Sequence, residues 1–153
     1  GIGKKVSPVA DPTIYICSPN DSKMVPEGNE SWFMLINAPR HDPTNGVDWS
    51  NPELKASYTE QILSALSSRG FSTSDRKLWQ RTIAPDELER NTLAPGGSIY
   101  GTSSNGMRSA FLRPENVTKI PNLYLVGGSS HPGGGLPLVG MSAEIVASRI
   151  GRA

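Results

Sequence analysis

The stretch from Asn122 to Ile150, NLYLVGGSSHPGGGLPLVGMSAEIVASRI, constrains the fold more than any other part of the chain. Six of the sixteen glycines fall between Gly127 and Gly140. Before them, Leu123-Tyr124-Leu125-Val126 reads as a strand of the buried type. After them, small residues (Gly140, Ser142, Ala143, Ala147, Ser148) and an apolar stripe (Val139, Ile145, Val146, Ile150) predict a helix. The order is therefore strand, glycine turn, helix. Glycine admits positive φ and lets a ligand lie against bare main chain. A helix N-terminus adds unpaired N–H groups and the positive end of a dipole. Together they suit a phosphate or a group that gains negative charge. No acidic residue lies between Gly127 and Ser142 to repel one. Most glycine turns between a strand and a helix bind nothing, and this spacing is not the G-x-G-x-x-G of a first βαβ unit. On pattern alone both readings stand.

The remainder of the chain predicts a mixed α/β (α+β) architecture. Hydrophobic residues make up 36% and charged residues 19%, which suits a globular chain. The net charge of +1, without a basic run, gives no footing for nucleic acid. The single cysteine excludes an internal disulfide, and Cys17, in the run Ile14-Tyr15-Ile16-Cys17, reads as a packed strand residue. No run approaches the roughly 18 apolar residues of a membrane span, and no signal peptide is visible. The sequons at Asn20, Asn29 and Asn116 read as coincidence.

Thr13 to Cys17 and Ser31 to Ala38 predict two antiparallel strands, the second buried on both faces. Pro39 to Trp49 reads as irregular loop. Ser50 and Glu53 have capping-box spacing with Pro52 in the first turn, so a helix is expected there. Leu54, Tyr58, Ile62 and Leu66 form its apolar face, and Gly70 is its stop. Lys77 to Ile83 alternates and reads as a strand, Ala84 to Arg90 as a short helical turn, and Ala110 to Leu112 as a brief apolar run. Two widely spaced histidines and one cysteine make no metal site. His41 reads as solvated.

Three strings then join: Gly96-Gly97-Ser98-Ile99-Tyr100-Gly101, Phe111-Leu112-Arg113-Pro114-Glu115-Asn116, and Asn122 through Gly135. In this order and spacing they resemble the C-terminal signature of the phytoene desaturase family ("FRP-N", "NLYLVG", "THPG-G-P"). The Gly-Gly-Gly-Leu-Pro form is nearer the hydroxycarotenoid desaturase and carotenoid oxidase branches. The resemblance implies an FAD-dependent oxidoreductase that removes a hydride from a carotenoid or related isoprenoid. It implies that residues 1–120 are part of the substrate-binding domain, and 121–153 the C-terminal segment of a Rossmann-like FAD domain. Family members open with a Rossmann fingerprint that grips the ADP half of FAD. Gly1-Ile2-Gly3 is not that fingerprint, so the chain is expected to be a fragment, inactive alone and short of its N-terminal FAD-binding half.

By the same resemblance, Gly127 and Gly128 would bring backbone against the pyrophosphate and ribityl chain. Relatives often carry an acid near Gly128; here Ser129 is the available substitute. His131, Pro132, Gly133 and Gly135 would pass beside the flavin ring. Leu136, Pro137 and Leu138 would open the helix whose N-terminus faces the ring edge that becomes anionic on reduction. His131 has two readings, ordering the turn or touching the flavin. Arg113 reads as a loop anchor, and Tyr100 and Trp32 as core more than channel lining. No residue stands out as a general base. The implied partner is a carotenoid lipid, and the implied location cytoplasmic, peripheral to a membrane. Two alternatives remain: another amine-oxidase-like flavoprotein of the retinol-saturase type, or a non-enzymatic lipid- or partner-binding domain.

Overall fold

The computed structural model describes residues 6–19, 21, 23–101 and 113–151. The Gly1-Ile2-Gly3 segment, the Asn20 sequon and the Ala110 to Leu112 run lie outside them. Two compact units are present, Gly1–Glu87 and Leu88–Ala153.

In the first unit, β1 (Ile14–Cys17) and β2 (Phe33–Ile36) pair antiparallel, with Ile14 opposite Ile36 and Cys17 opposite Phe33. The expectation that the second strand is buried on both faces is corrected. Only Ile14, Ile16, Met34 and Ile36 turn toward partial burial, while Tyr15, Phe33 and Leu35 are exposed. A two-stranded ribbon packed on one side keeps a period of two. Cys17 falls on the open face and is exposed, not packed.

α1 (Pro52–Ser68) begins one residue later than the capping-box spacing suggests. Asn51 is the cap, its side-chain oxygen accepting from the Glu53 and Leu54 amides at 2.9 and 3.2 Å. Ser50 instead donates its hydroxyl to Asp48. At the other end Gly70 sits at φ 89°. The Gly70 amide bonds Ser67 O and the Phe71 amide bonds Leu66 O, each at 3.0 Å, closing a Schellman motif.

The apolar face of α1 buries Tyr58, Ile62 and Leu66. Tyr58 and Ile62 join Val47, Trp49 and Ala84 in the core, with Ile14, Ile36 and Leu54 packed against it. Two of those core residues come from the segment expected to be loop. That segment is ordered by Asp42, which accepts from the Asn45 amide at 2.9 Å, and by His41, whose Nδ1 accepts from the Trp49 amide at 3.1 Å. His41 is therefore a half-buried structural acceptor, not a solvated side chain.

Lys77 to Ile83 is not a strand. Leu78 and Trp79 are 75% and 78% exposed, and no described strand lies alongside to accept the ladder. Alternation alone leaves backbone donors without partners, so no strand forms. α2 (Pro85–Thr92) follows, with Asp86 buried and bonded to Lys55 Nζ at 3.0 Å.

The second unit contains a 3₁₀ turn at Pro95–Gly97 and α3 (Leu136–Ile150). The expected strand at Leu123 to Val126 reduces to one antiparallel bridge, Val117 to Tyr124, and Leu123, Leu125 and Val126 are exposed. No helix among the described residues is long and apolar enough to cross a membrane.

Candidate cofactor site

α3 starts where the glycine run ends. Gly135, at φ 105°, occupies its cap position and has no side chain to satisfy the first amides. Pro137 in the first turn has no N–H to satisfy. The first helical bond is Val139 N to Gly135 O at 2.9 Å. The Leu136 and Leu138 amides have no acceptor among the described residues. Leu136 is 89% exposed, and Leu138 is also exposed. The helix stops at Gly151, at φ 84°. Of the predicted apolar stripe, Val146 is buried, Val139 and Ile145 are half-buried, and Ile150 is exposed.

The turn before α3 is held in three ways: by side chains bonded to it or packed on it, by a main-chain bond, and by a buried polar cluster. Arg113 donates to Tyr100 O at 3.0 Å and to Gly128 O at 2.8 Å. The Arg113 side chain also packs against Gly133, its Nε 3.2 Å from where a Cβ would stand. Tyr100 lays its ring against Gly134, where a Cβ would come within 2.0 Å of Cδ1. The His131 amide donates to Pro114 O at 2.9 Å. Arg113 is thus a loop anchor, as its position before Pro114 suggests, but the groups it anchors are carbonyls.

The third restraint is a buried polar cluster. Asn116, 4% exposed, points Nδ2 at Leu125 O, His131 O and Ser142 Oγ, at 2.9, 2.9 and 2.8 Å. Ser142, 0% exposed, accepts from the Gly127 amide at 3.2 Å and stands 3.3 Å from Ser130 Oγ. Ser130 Oγ donates to Gly127 O at 3.0 Å. Ser130 spends its proton on Gly127 O, Ser142 donates to Ser130 and accepts the Gly127 amide, and the two N–H protons of Asn116 Nδ2 are shared among its three acceptors. Sequence reasoning missed all three residues. Asn116 looked like a coincidental sequon and Ser142 like one small helix residue among several. The available signal was a serine at the position one turn before Val146 on the apolar stripe.

Gly127 and Gly135 have φ of 119° and 105°, and a Cβ built on either meets no atom within 4 Å. Open space therefore lies against their main chain. The amide and carbonyl of Gly127 are both engaged internally. The amides of Gly128, Ser129, Gly133, Gly134, Gly135, Leu136 and Leu138 have no acceptor among the described residues. Ser129 is exposed, with its Cβ side facing Gly101. Bare glycine backbone, unpaired donors and an uncapped helix N-terminus, with no carboxylate in the segment, fit a group that carries or gains negative charge. His131 stands apart from this. It lines a cleft of about 340 Å³ with Glu115, Asn116, Val117, Ile145 and Arg149, to which none of Gly127, Gly128, Ser129, Pro132, Gly133, Gly135, Leu136, Pro137 and Leu138 contributes.

No protein-family model matches the chain. Curated relatives do. The chain is 41% identical over 145 residues to a 1-hydroxycarotenoid 3,4-desaturase of a Flavobacterium species, covering 92% of this chain and 28% of that protein. It is 33% identical over 145 residues to a 4,4'-diapolycopen-4-al dehydrogenase of Metabacillus indicus, again covering 92% and 28%. It is 33% identical over 140 residues to a 4,4'-diapophytoene desaturase of Staphylococcus aureus, covering 88% and 28%. The chain thus spans 28% of the length of these relatives. Over 140 to 145 of its 153 residues, the chain is similar to proteins named as carotenoid desaturases or dehydrogenases.

Proposed function

We propose that the chain is the cofactor-closing part of an FAD-dependent carotenoid desaturase. One observation carries the reading: the segment from Gly127 to Leu138 presents open glycine backbone and unpaired amides ahead of an uncapped helix. The relatives, named for desaturation or dehydrogenation of carotenoids, supply the substrate class. FAD, when bound, supplies a hydride acceptor for a saturated carotenoid C–C bond.

The chain's own residues bind and orient. The amides of Gly128, Ser129 and Gly133 to Leu136 offer donors to the cofactor, and Gly127 and Gly135 offer close van der Waals approach. The α3 N-terminus favours negative charge on the nearby ring edge by about 0.3–1 kcal/mol, and by up to about 2 kcal/mol where partly buried. Pro132, Pro137 and Leu138 shape the turn around it. His131 serves through its backbone, which ties the turn to Pro114 and Asn116. No residue here is assigned as a general base. Residues 1–120 belong to the substrate-binding domain and 121–153 to the FAD domain, and the ADP half of FAD is held by residues outside this span. The protein works in the cytoplasm at the surface of the membrane that dissolves its substrate.

The full-length protein carrying this chain tests the reading. Purified, it is expected to retain FAD through gel filtration and to add a double bond to an acyclic or hydroxylated carotenoid. The 153-residue chain alone is expected to bind FAD weakly or not at all. A colourless full-length protein that takes up no FAD would overturn the reading.

A further inference from the structure

Ser142 is fully buried, at 0% exposed, and it sits on the helix that follows the glycine turn. A buried hydroxyl carries a desolvation cost that an alanine would avoid, unless its hydrogen bonds fix something. Here they fix the turn. Ser142 takes the Gly127 amide, Asn116 takes Leu125 O and His131 O, and Ser130 takes Gly127 O. The cluster therefore grips the entry to the turn at Leu125, its first glycine, and His131 in its middle. Asn116 and Ser142, 26 residues apart, close the grip with a direct bond of 2.8 Å.

This arrangement selects which backbone groups remain for a ligand. Gly127 is consumed, while the amides of Gly128, Ser129 and Gly133 to Leu136 stay unpaired among the described residues. We propose that Asn116, Ser130 and Ser142 are positioning residues, which lock the glycine turn onto α3 so that its later amides are preset to receive the cofactor. The inference rests on the flavin reading above. None of the three needs to touch the cofactor. They act by removing Gly127 from the pool of donors and by denying the turn its freedom to relax before binding.

Val146 supplies the control. It is the buried apolar residue one turn further along α3, and it makes no part of the polar cluster. The experiment uses the full-length protein, stripped of flavin and titrated with FAD, with the thermal midpoint of each apo form measured in parallel. Ser142→Ala is expected to raise the FAD Kd about tenfold, the size of effect that follows from leaving one buried donor unpaired. Ser130→Ala, which removes one donor to Gly127 O and no acceptor for an amide, is expected to raise it less, about threefold. Val146→Ala is expected to lower the thermal midpoint at least as far as Ser142→Ala, yet to leave Kd within about twofold of wild type, since a cavity on the helix leaves the cluster's bonds intact. If Ser142→Ala does not fold, Ser130→Ala against Val146→Ala decides. Serine variants that bind FAD like wild type overturn the inference, and so does a Val146→Ala protein that loses FAD as severely as they do. Wild-type protein that takes no FAD overturns the flavin reading itself, and the inference falls with it.

Discussion

The two units of the chain are held by opposite means. In the first, Val47, Trp49, Tyr58, Ile62 and Ala84 form an apolar cluster, and the polar edges of its aromatic residues are satisfied outward: Trp49 Nε1 donates to Pro39 O at 2.8 Å and Tyr58 OH to Val9 O at 3.1 Å. In the second, among the described residues, Val146 is the buried hydrophobic residue, and the other buried side chains belong to Asn116, Ser130 and Ser142. Apolar burial is nondirectional and scales with area, so it fixes a fold while tolerating small shifts. Hydrogen bonds to named carbonyls and amides fix backbone atoms to within tenths of an ångström. A unit whose side chains frame a surface can rely on the first means. A unit whose main chain is itself the binding surface, as proposed for the glycine turn, needs the second.

The largest effect is expected where the apolar unit is emptied. Trp49→Ala removes an aromatic residue that is 3% exposed and packs on Tyr58 with ring centroids 5.7 Å apart. It should cost about 3–5 kcal/mol, read by urea denaturation. A loss below about 1 kcal/mol would mean that the first unit does not depend on its core, and the comparison would break.

In the second unit the expected loss is smaller and specific to geometry. Gly134→Ala drives a Cβ to within 2.0 Å of the Tyr100 ring, at atoms near the stem of that side chain. The ring must swing away, at about 1–3 kcal/mol. Tyr100→Ala in the same protein should restore most of that loss, because the clash partner is gone. A double-mutant cycle without such coupling would show that the turn is not packed on Tyr100.

Next in size is the cap of α1, and here the sequence and the fold diverge by one residue. The spacing of Ser50 and Glu53 points to Ser50, but Asn51 takes the Glu53 and Leu54 amides while Ser50 serves Asp48. Asn51→Ala should cost about 1 kcal/mol in thermal melts, and Ser50→Ala clearly less. The reverse order would restore the capping box.

That one-residue slip is typical of what was legible. Elements set by local periodicity and punctuation, α1 with Pro52 and Gly70, α3 after Gly135, and the β1–β2 pair, could be read directly because neighbours in sequence determine them. Lys77 to Ile83 alternates as a strand should, but a strand needs a partner, and partners are not written in the alternation. Leu123 to Val126 failed for the same reason, keeping one bridge at Tyr124. Val47 and Trp49 looked like loop because their burial depends on α1. Of the candidate site, the glycine turn and the helix start were visible, since glycine and proline act locally. The Asn116–Ser142 bond joins residues 26 apart, and no local pattern announces it.

The smallest effect separates the units by pH. Asp42 accepts the Asn45 amide at 2.9 Å and pairs with Arg40 at 2.7 Å, which holds its carboxyl below the ordinary value of 3.8. Asp48 is likewise held below 3.8 by the Ser50 hydroxyl and the Ser50 amide. Both stand in the segment that carries Val47 and Trp49 into the core. A carboxyl whose folded value is depressed takes up its proton more readily when the chain unfolds. Its stabilising contribution is therefore whole above the unfolded value and drains away as pH falls through the lower, folded one. Melting curves from about pH 5 down to about pH 2.5 should show the first unit losing stability below about pH 4, with a shallow slope because both carboxyls are only half-buried and stay in reach of solvent. Replacing both, Asp42→Asn with Asp48→Asn, should flatten that slope relative to wild type and leave FAD retention by the full-length protein unchanged above pH 5, since the hydrogen bonds of both side chains stay within the segment from Arg40 to Ser50. An unaltered slope would remove these carboxylates from the account of how Trp49 is held. A loss of FAD would mean that these carboxylates matter beyond the segment that carries Val47 and Trp49.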